Sequence, residues 1–388
     1  MQRGSQDSTH PGASSLSAPV VRSDRGRLRV AYLQKAPSGH IVACLQALID
    51  SNEIELFLNL PRRSVNAPFE EVAPRGAAVV RPDVGLGEDA GLLAAVREFN
   101  PDILVIVGWE VPAFRKCARS LRGQCLRVVC LDNQWNRTPR QILGIAARRF
   151  YLHPYFDAAF VAGHRQRVLL RKLGYRDGQI FDGFYSCDVR RFVPPHDSIV
   201  TVPPPRSFLF VGRLVADKGI DDLVAAYRKY QGMVADPWPL VVAGEGPLFA
   251  KLEAEHGVAL RGFIQPAGLP PIFAESSFLL VPSRYEPWGV VVHEAVTAGL
   301  GVIATSAVGA ADLFVQPGVN GVVFGVGDAE ALSDALQWAH QLSDAERETV
   351  QRSSQILATL RSPEGWVTAI RAMAELRQSL PELAANDS

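Results

Sequence analysis

Two cations follow an apolar, strand-like run in the second half of the sequence. In the segment VGRLVADKGIDDLVAAY, Arg213 and Lys218 come after that run and Gly219 opens an amphipathic helical pattern. Fixed cations beside a helix amino end stabilise the negative charge that grows on a diphosphate as the bond to it breaks. We therefore predict that this segment, together with Gly212, binds a diphosphate leaving group. The alternative is a solvated turn that carries two surface cations.

Two carboxylates lie in the motif SRYEPWGVVVHEAVTAG. Glu286 falls in the loop before a predicted helix, and Glu294 lies about one turn inside it. Carboxylates repel an anion, so we expect them to bind neutral hydroxyls, those of a sugar at Glu286 and of a ribose at Glu294. The amides of Trp288, Gly289 and Val290 open the helix and can face phosphate. The alternative is a capping Glu286 and a surface Glu294, but the helix is apolar around Glu294 and a buried carboxylate needs a partner.

Glycine turns follow two further apolar runs of this half. AGEGP contains Gly244, and TSAVGAADLF leads from a run into a helical pattern. Glycine allows the chain to turn tightly and to approach a ligand with its backbone. We place Gly244 on the donor side with the motifs above. An ordinary strand-to-helix turn is the alternative.

The elements that must position these motifs alternate between strands and helices in both halves. Runs rich in Val, Ile and Leu between helical segments predict parallel sheets buried on both faces. The predicted strands are 27–33, 53–58, 102–107, 126–131 and 157–162, then 207–212, 239–244, 277–282 and 301–305. A proline-rich segment, 192–206, separates the two series and suits an interdomain connector. Ligands bind beyond the carboxyl ends of such strands, where every motif above falls.

Length and composition agree with two folded domains. The chain has 388 residues, 47% of them hydrophobic, and 40 basic against 40 acidic residues, so net charge indicates no nucleic-acid partner. Five cysteines without a C-x-x-C spacing are typical of reduced core residues in a cytosolic protein. Residues 1–26 are polar and lack the apolar centre of a signal peptide, which predicts a disordered tail.

The ordered motifs G-R-L…D-K-G, A-G-E-G-P, V-P-S-x-x-E-P-W-G…E-A…A-G, V-I-A-T…G…D and N-G resemble family 4 of the glycosyltransferases between about residues 207 and 328. The resemblance implies an α/β protein of GT-B fold, with two Rossmann-like doubly wound domains facing across a cleft. It implies retaining transfer from a nucleotide diphospho-sugar without a metal or other cofactor. It assigns Arg213 and Lys218 to the donor diphosphate, Glu286 to the sugar and Glu294 to the ribose, so the expected catalytic residues are Glu286, Arg213 and Lys218.

The resemblance also suggests how the chain divides. We expect a disordered tail over 1–26, an acceptor-side domain over 27–197 and a nucleotide-sugar donor domain over 198–360. The segment 361–388 has helical spacing and is expected to cross back to the first domain.

Two positions depart from the family pattern. Gly301 stands where the family usually has proline, and we expect this to alter only a turn. His293 replaces a residue that is commonly aliphatic. We interpret it as a neutral histidine packed in the helix rather than as a catalyst.

Acceptor-side candidates follow strands of the first half. Ser38, Gly39 and His40 lie at a helix start, where Gly39 can let amides approach the donor phosphate and a plain cap at Ser38 is the alternative. Polar groups beside tryptophans after two other strands suit sugar recognition. No histidine occurs there, which argues against a side-chain base. The resemblance implies a retaining front-face mechanism, in which the departing phosphate itself can take the acceptor proton. The cleft candidates are Gly39, His40, Trp109, Glu110, Asp132 and Asn133.

Residues 137–176 are strongly basic. They contain nine Lys or Arg and one acid, Asp157, interleaved with apolar residues. This pattern suits peripheral contact with an anionic membrane, on the inner face of the membrane of a cytoplasmic protein, and a merely solvated basic face is the alternative.

The function expected from the resemblance is sugar transfer to a glycan, lipid-linked or small-molecule acceptor, in surface polysaccharide or glycoconjugate biosynthesis. Two other classes stay open. One is a GT-B epimerase or hydrolase of nucleotide-sugars, which needs no acceptor site. The other is a non-catalytic nucleotide-sugar-binding partner of another transferase.

Overall fold

The computed structural model of the protein describes residues 26–34, 39–59, 74–76, 79–80, 89–193 and 205–380. The predicted tail, apart from residue 26, and residues 194–204 of the proline-rich segment lie outside the described residues. Within the described part, no helix is both long enough and apolar enough to cross a lipid bilayer.

The first domain is built on a parallel sheet of seven strands in the order β3-β2-β1-β4-β5-β6-β7. Its strands are β1 Leu28–Gln34, β2 Ile54–Asn59, β3 Val79–Val80, β4 Ile103–Val107, β5 Leu126–Leu131, β6 Ala158–Val161 and β7 Ile180–Asp182. In the register of the central pair, Val30 lies opposite Ile103 and Gln34 opposite Val107. Every residue of β5 is buried and all but Arg127 are apolar, which explains why polar residues do not alternate along the strand.

Helices cover both faces of this sheet. They are α1 Gly39–Asp50, α2 Asp89–Phe99, α3 Pro112–Ser120, α4 Pro139–Tyr151 and α5 His164–Lys172. The short α6, Val189–Phe192, instead packs through Phe192 against Phe273 in the second half of the chain. Two apolar clusters, one on each face, form the core. The five strands predicted in this half are confirmed, and the short β3 and β7 were not predicted.

The second domain repeats the arrangement with six parallel strands in the order β10-β9-β8-β11-β12-β13. Its strands are β8 Phe208–Val211, β9 Leu240–Ala243, β10 Val258–Leu260, β11 Phe278–Val281, β12 Gly301–Thr305 and β13 Gly321–Phe324. Its helices are α7 Ile220–Met233, α8 Phe249–Glu253, α9 Leu269–Ala274, α10 Val290–Ala298, α11 Ala311–Phe314, α12 Ala329–Gln341 and α13 Asp344–Ala358. The doubly wound architecture predicted from the sequence is therefore confirmed in both domains.

Both sheets reverse their winding beside their first strand. Strand β1 lies between β2 and β4, and β8 lies between β9 and β11. A crevice opens at such a reversal, beyond the carboxyl ends of the strands. The loops after β8 and β11, which carry the cationic and carboxylate motifs, flank the crevice of the second domain.

The helix α14, Gly365–Ser379, packs on the first sheet. Trp366, Ile370 and Met373 belong to the same buried cluster as Tyr32 and Phe184. The Trp366 indole N–H donates to the Phe184 carbonyl at 3.1 Å. The chain thus returns to the first domain after it has completed the second.

Gly301 is the first residue of β12 rather than part of a turn. A Cβ at this position would overlap the ring of Phe278, which is fully buried. The expectation that a glycine here alters only a turn is therefore wrong. The glycine leaves space in the sheet that the Phe278 ring fills.

Candidate active site

The loops after β8 and β9 pack backbone against backbone. The Gly212 N–H donates to the Ala243 carbonyl at 3.0 Å, and a Cβ at Gly244 would overlap the Gly212 carbonyl oxygen. Only glycine at position 244 allows this close approach. Arg213 projects from the loop as an exposed side chain, with no hydrogen-bond or ion-pair partner among the described residues. Gly244 thus shapes the loop from which Arg213 extends.

Lys218 is positioned by a left-handed glycine. It ends a 3-10 turn, and Gly219, with φ of 70°, caps helix α7. A Cβ at Gly219 would overlap the carbonyl oxygen of Pro282, so the start of α7 lies directly against the loop that follows β11. This contact brings Lys218 to the loop that carries Glu286.

The loop that carries Glu286 is held by backbone hydrogen bonds from both sides. The Arg284 and Tyr285 amides donate to the Asp217 carbonyl at 2.8 and 3.3 Å. On the other side, the Gly309 amide donates to the Glu286 carbonyl at 3.1 Å. Glu286 is therefore fixed in position although it belongs to no regular element.

The structure joins the Lys218 ammonium and the Glu286 carboxylate in an ion pair. Their side chains are 20% and 15% exposed, so water screens the pair only in part. The predicted diphosphate cation and the predicted sugar-binding carboxylate thus compensate each other's charge. A diphosphate that enters the crevice would compete with Glu286 for Lys218.

The amino end of α10 presents backbone donors. Gly289, with φ of 96°, caps the helix, and the amides of Trp288, Gly289 and Val290 have no acceptor within the described part of the chain. The Trp288 indole is buried, and a Cβ at Gly163 would lie 2.7 Å from its ring. Trp288 therefore offers a ligand its amide, while its ring packs between the domains.

Glu294 lies one turn further along α10. Its carboxylate has no hydrogen-bond or ion-pair partner among the residues that the structure describes. The side chain is partly exposed, and loss of hydration raises the pKa of Glu294 to about 7, opposed by the positive charge of Arg191. A carboxylate in this setting gains from hydroxyl donors that a ligand brings.

His293 has a packing role, as predicted. Its Nδ1 accepts from the Cys187 N–H at 3.0 Å, which leaves Nε2 to donate to the Ala358 carbonyl at 3.1 Å. The ring stacks on Phe314 with centroids 4.5 Å apart. Burial lowers the pKa of His293 to about 4, so the ring is neutral at physiological pH.

On the first-domain side, Asp132 and Asn133 meet two tyrosines. The Tyr185 hydroxyl donates to Asp132 Oδ2 at 3.2 Å. Burial raises the pKa of the Tyr285 hydroxyl, and the neighbouring Asn133 side chain partly opposes this rise. The His40 ring lies edge-on to Tyr185 at 5.1 Å, and burial lowers the pKa of His40 to about 4. Tyr285 precedes Glu286, so this group of residues spans both domains. Sequence reasoning missed Tyr185 and Tyr285, although Tyr285 stands inside the carboxylate motif.

The other acceptor-side candidates are placed differently. Trp109 packs on Tyr151 of α4 with ring centroids 5.6 Å apart, as part of the first-domain core, and Glu110 is exposed. Gly39 begins α1, and a Cβ there would lie 3.9 Å from Pro266 of the second domain. The amino end of α1 therefore lies against the second domain, whereas the half-buried Trp109 ring packs against the core of the first domain.

A cavity of about 590 Å³ lies between the domains. The first domain lines it with Trp135, His164 and Arg165, and the second with Tyr285 and Ser306, among others. Aromatic faces with a few polar groups are the usual lining of small-ligand sites. The cavity lies beside the Asp132 group, because Tyr285 belongs to both.

The start of α5 ties the domains together at the edge of this cavity. Arg165 forms two hydrogen bonds with Asp312, at 2.5 and 2.6 Å. The Gln166 amide group donates to the carbonyls of Asp132 and Pro287, both at 2.9 Å. The first domain thus contacts the loop of Glu286 directly.

The two doubly wound domains and the cleft between them define a GT-B fold. Anabaena HepE, solved in complex with UDP, is 17% identical with a TM-score of 0.66, over 91% of this chain and all of HepE. Sucrose-phosphate synthase from Thermosynechococcus elongatus is 19% identical with a TM-score of 0.64, over 93% of this chain and all of that one. At these identities the likeness establishes the fold alone.

Sequence comparison adds a family match over the second domain and partial matches to individual proteins. The family model of group 1 glycosyl transferases matches residues 197–355. An uncharacterized glycosyltransferase of Methanocaldococcus jannaschii is 33% identical over 124 residues, 30% of this chain and 31% of that protein. The alpha-D-kanosaminyltransferase of Streptomyces kanamyceticus is 28% identical over 136 residues, 33% of this chain and 35% of that protein. The chain thus spans about a third of the length of these relatives.

Proposed function

We propose that the protein is a retaining glycosyltransferase of family 4 that takes a sugar from a nucleotide diphospho-sugar and uses no metal ion or other cofactor. One observation carries the proposal: Lys218 pairs with Glu286 beside the amino end of α10, and Glu294, which has no partner among the described residues, lies one turn away. The match to group 1 glycosyl transferases and the likeness to HepE, which was solved with UDP and with UDP-glucose, support it.

The charges in the proposed site divide by ligand group. Arg213, Lys218 and the α10 amides take the diphosphate, whose negative charge grows as the bond to the sugar breaks. When the Lys218 ammonium binds phosphate in place of Glu286, the Glu286 carboxylate becomes free to accept a hydrogen bond from a sugar hydroxyl. Glu294 accepts from the ribose. In this division the protein supplies the compensating positive charge itself.

Retention follows if the acceptor attacks on the face from which the diphosphate leaves. The bond from the anomeric carbon to the phosphate oxygen breaks, and the bond to the acceptor oxygen forms on the same side. The acceptor proton passes to the departing phosphate oxygen. This route assigns no proton transfer to His40, which burial keeps neutral, or to His293.

In this proposal residues 198–360 bind the donor and residues 27–197 receive the acceptor at Asp132 and Asn133. The acceptor is a glycan, a lipid-linked sugar or a small molecule, and the reaction belongs to surface polysaccharide or glycoconjugate biosynthesis. We place the protein in the cytoplasm, with the basic stretch 137–176 toward the inner face of the membrane.

The proposal is tested by incubating the purified protein with UDP-, GDP-, ADP- and TDP-sugars, with and without candidate acceptors, in EDTA. We expect acceptor-dependent release of one nucleoside diphosphate and a product that keeps the donor's anomeric configuration by NMR. An epimer or free sugar formed without acceptor would establish the epimerase or hydrolase alternative. Tight binding without any turnover would favour a non-catalytic partner, and inverted product or dependence on added metal would refute the mechanism.

A further inference from the structure

Helix α4 carries large apolar side chains on the protein surface. Leu143 is 71% exposed, Phe150 81% and Ile142 57%, and none of the helix residues is buried. A surface helix normally turns an apolar stripe toward the core. Exposed apolar patches on soluble proteins mark sites of interaction. Helix α4 therefore has the character of a contact surface.

The exposed side chains form one continuous face. Ile142, Ala146 and Phe150 are spaced four residues apart, so they line up along the helix with Leu143 beside them. At 100° per residue, Arg149 falls on one border of this face and Arg140 on the other. The pattern is an apolar band between arginines, as in helices that lie in a membrane interface.

The charge of this face is uniformly positive. No Asp or Glu occurs between residues 134 and 156. Arg137, Arg140 and Arg149 are exposed and have no ion-pair partner within the described part of the chain. Arg148 is different, because it donates to the Ile145 carbonyl at 2.6 Å. Three arginines are thus available to an anionic surface.

The remaining cations of the stretch 137–176 are largely engaged within the protein. The Lys172 ammonium lies over the Trp135 ring, 5.2 Å from its centre. The ion pairs of α5 within the described residues are Arg165–Asp312, Arg167–Asp182, Arg167–Asp177 and Arg171–Asp177. Apart from Lys172 and Arg176, the cations of the stretch that have no ion-pair partner among the described residues lie on α4 or, as Arg137 does, directly before it.

We propose that the outer face of α4 binds an anionic lipid surface, with Ile142, Leu143 and Phe150 in the headgroup boundary and Arg137, Arg140 and Arg149 at lipid phosphates. Apolar insertion and electrostatic attraction add in such helices. This surface is separate from the donor site and does not rest on the proposed sugar transfer. The loop directly before α4, residues 134–136, lines the interdomain cavity, so binding through α4 brings that cavity to the membrane.

The test is sedimentation of the full chain with vesicles of phosphatidylcholine, alone or mixed with phosphatidylglycerol. We expect binding to the anionic vesicles that weakens as salt rises. Arg140→Gln and Arg149→Gln should each weaken it about fivefold, and Leu143→Gln and Phe150→Gln about tenfold or more. Ile356→Gln is the matched control, since Ile356 is 69% exposed on the second domain.

Three results would overturn the proposal. They are no binding to anionic vesicles, equal binding to neutral ones, and binding that the α4 variants leave unchanged. A concentration-dependent dimer that Phe150→Gln abolishes, in place of vesicle binding, would identify a second copy of the chain as the occupant. Thermal melting and nucleotide-sugar affinity of the variants should match the parent protein, which separates loss of lipid binding from misfolding and from failure of the donor site.

Discussion

Glu294→Gln tests the donor site through protein stability as well as through binding. Loss of hydration raises the pKa of Glu294 from 4.5 to about 7. A carboxylic acid whose pKa is higher in the folded than in the unfolded state stabilises the folded protein fully at pH values below its unfolded pKa. That stabilisation is lost as the pH rises through the folded pKa. This rise in pKa corresponds to about 3 kcal/mol in the free energy of unfolding. Since water screens the partly exposed side chain, we expect the free energy of unfolding to fall by about 2 kcal/mol between about pH 4.5 and 8.

Glutamine keeps the shape of the side chain and cannot ionise. The urea midpoint of Glu294→Gln should therefore exceed that of the parent protein at about pH 8, and the difference should close toward about pH 5. Nucleotide-sugar affinity, measured by calorimetry, should fall about tenfold to a hundredfold, because a hydrogen bond to a charged acceptor is lost. Glu253→Gln, on the exposed surface of α8, is the control for both measurements.

A variant that gains no stability at alkaline pH would show that Glu294 is well hydrated in the folded protein, which refutes the raised pKa. Unchanged donor affinity would show that Glu294 contacts no part of the nucleotide-sugar, which refutes its place in the donor site. If Glu294 is a poorly hydrated carboxylate that binds the donor, Glu294→Gln should be more stable than the parent protein and should bind nucleotide-sugar more weakly.

Two further predictions concern the start of α7. Lys218→Met should weaken donor affinity at least about tenfold. It should also lower the free energy of unfolding by about 1 kcal/mol, because it leaves Glu286 without its cation. Adding Glu286→Gln to this variant should restore the urea midpoint but not the calorimetric affinity. Gly219→Ala should cost at least about 2 kcal/mol in urea unfolding, because its Cβ meets the Pro282 carbonyl at positive φ. Gly232→Ala, in the same helix with open space around it, should instead stabilise by about 0.5 kcal/mol, and equal effects at the two glycines would contradict the steric argument.

The strands of the fold were predictable because they are buried on both faces. The run Leu126–Leu131, which is apolar except for Arg127, is an example. Each predicted strand agrees with the structure to within about a residue at either end. The two-residue β3 and the three-residue β7 and β10 are too short to show a period. Their places come from pairing with neighbouring strands, which is information that a local pattern does not contain.

The candidate site divides in the same way. Arg213, Lys218, Glu286 and Glu294 were found because each follows a strand of one sheet, and the carboxyl ends of parallel strands share an edge. The ion pair between Lys218 and Glu286 links residues that are 68 positions apart in the sequence, and no sequence spacing predicts it. The Tyr185 contact with Asp132 and the Arg165 contact with Asp312 also depend on how distant segments pack. Sequence order therefore identified the motifs, and tertiary packing determined their partners.

The return of α14 to the first sheet has a consequence for biosynthesis. Trp366 and Met373 complete a core that also contains Tyr32. The first domain therefore cannot complete its core until the residues that follow the second domain have been synthesised. A ribosome that has just finished the second domain carries a first domain with an uncovered apolar face, and such faces promote aggregation. Truncation before residue 365 should therefore damage the domain that lies furthest away in sequence.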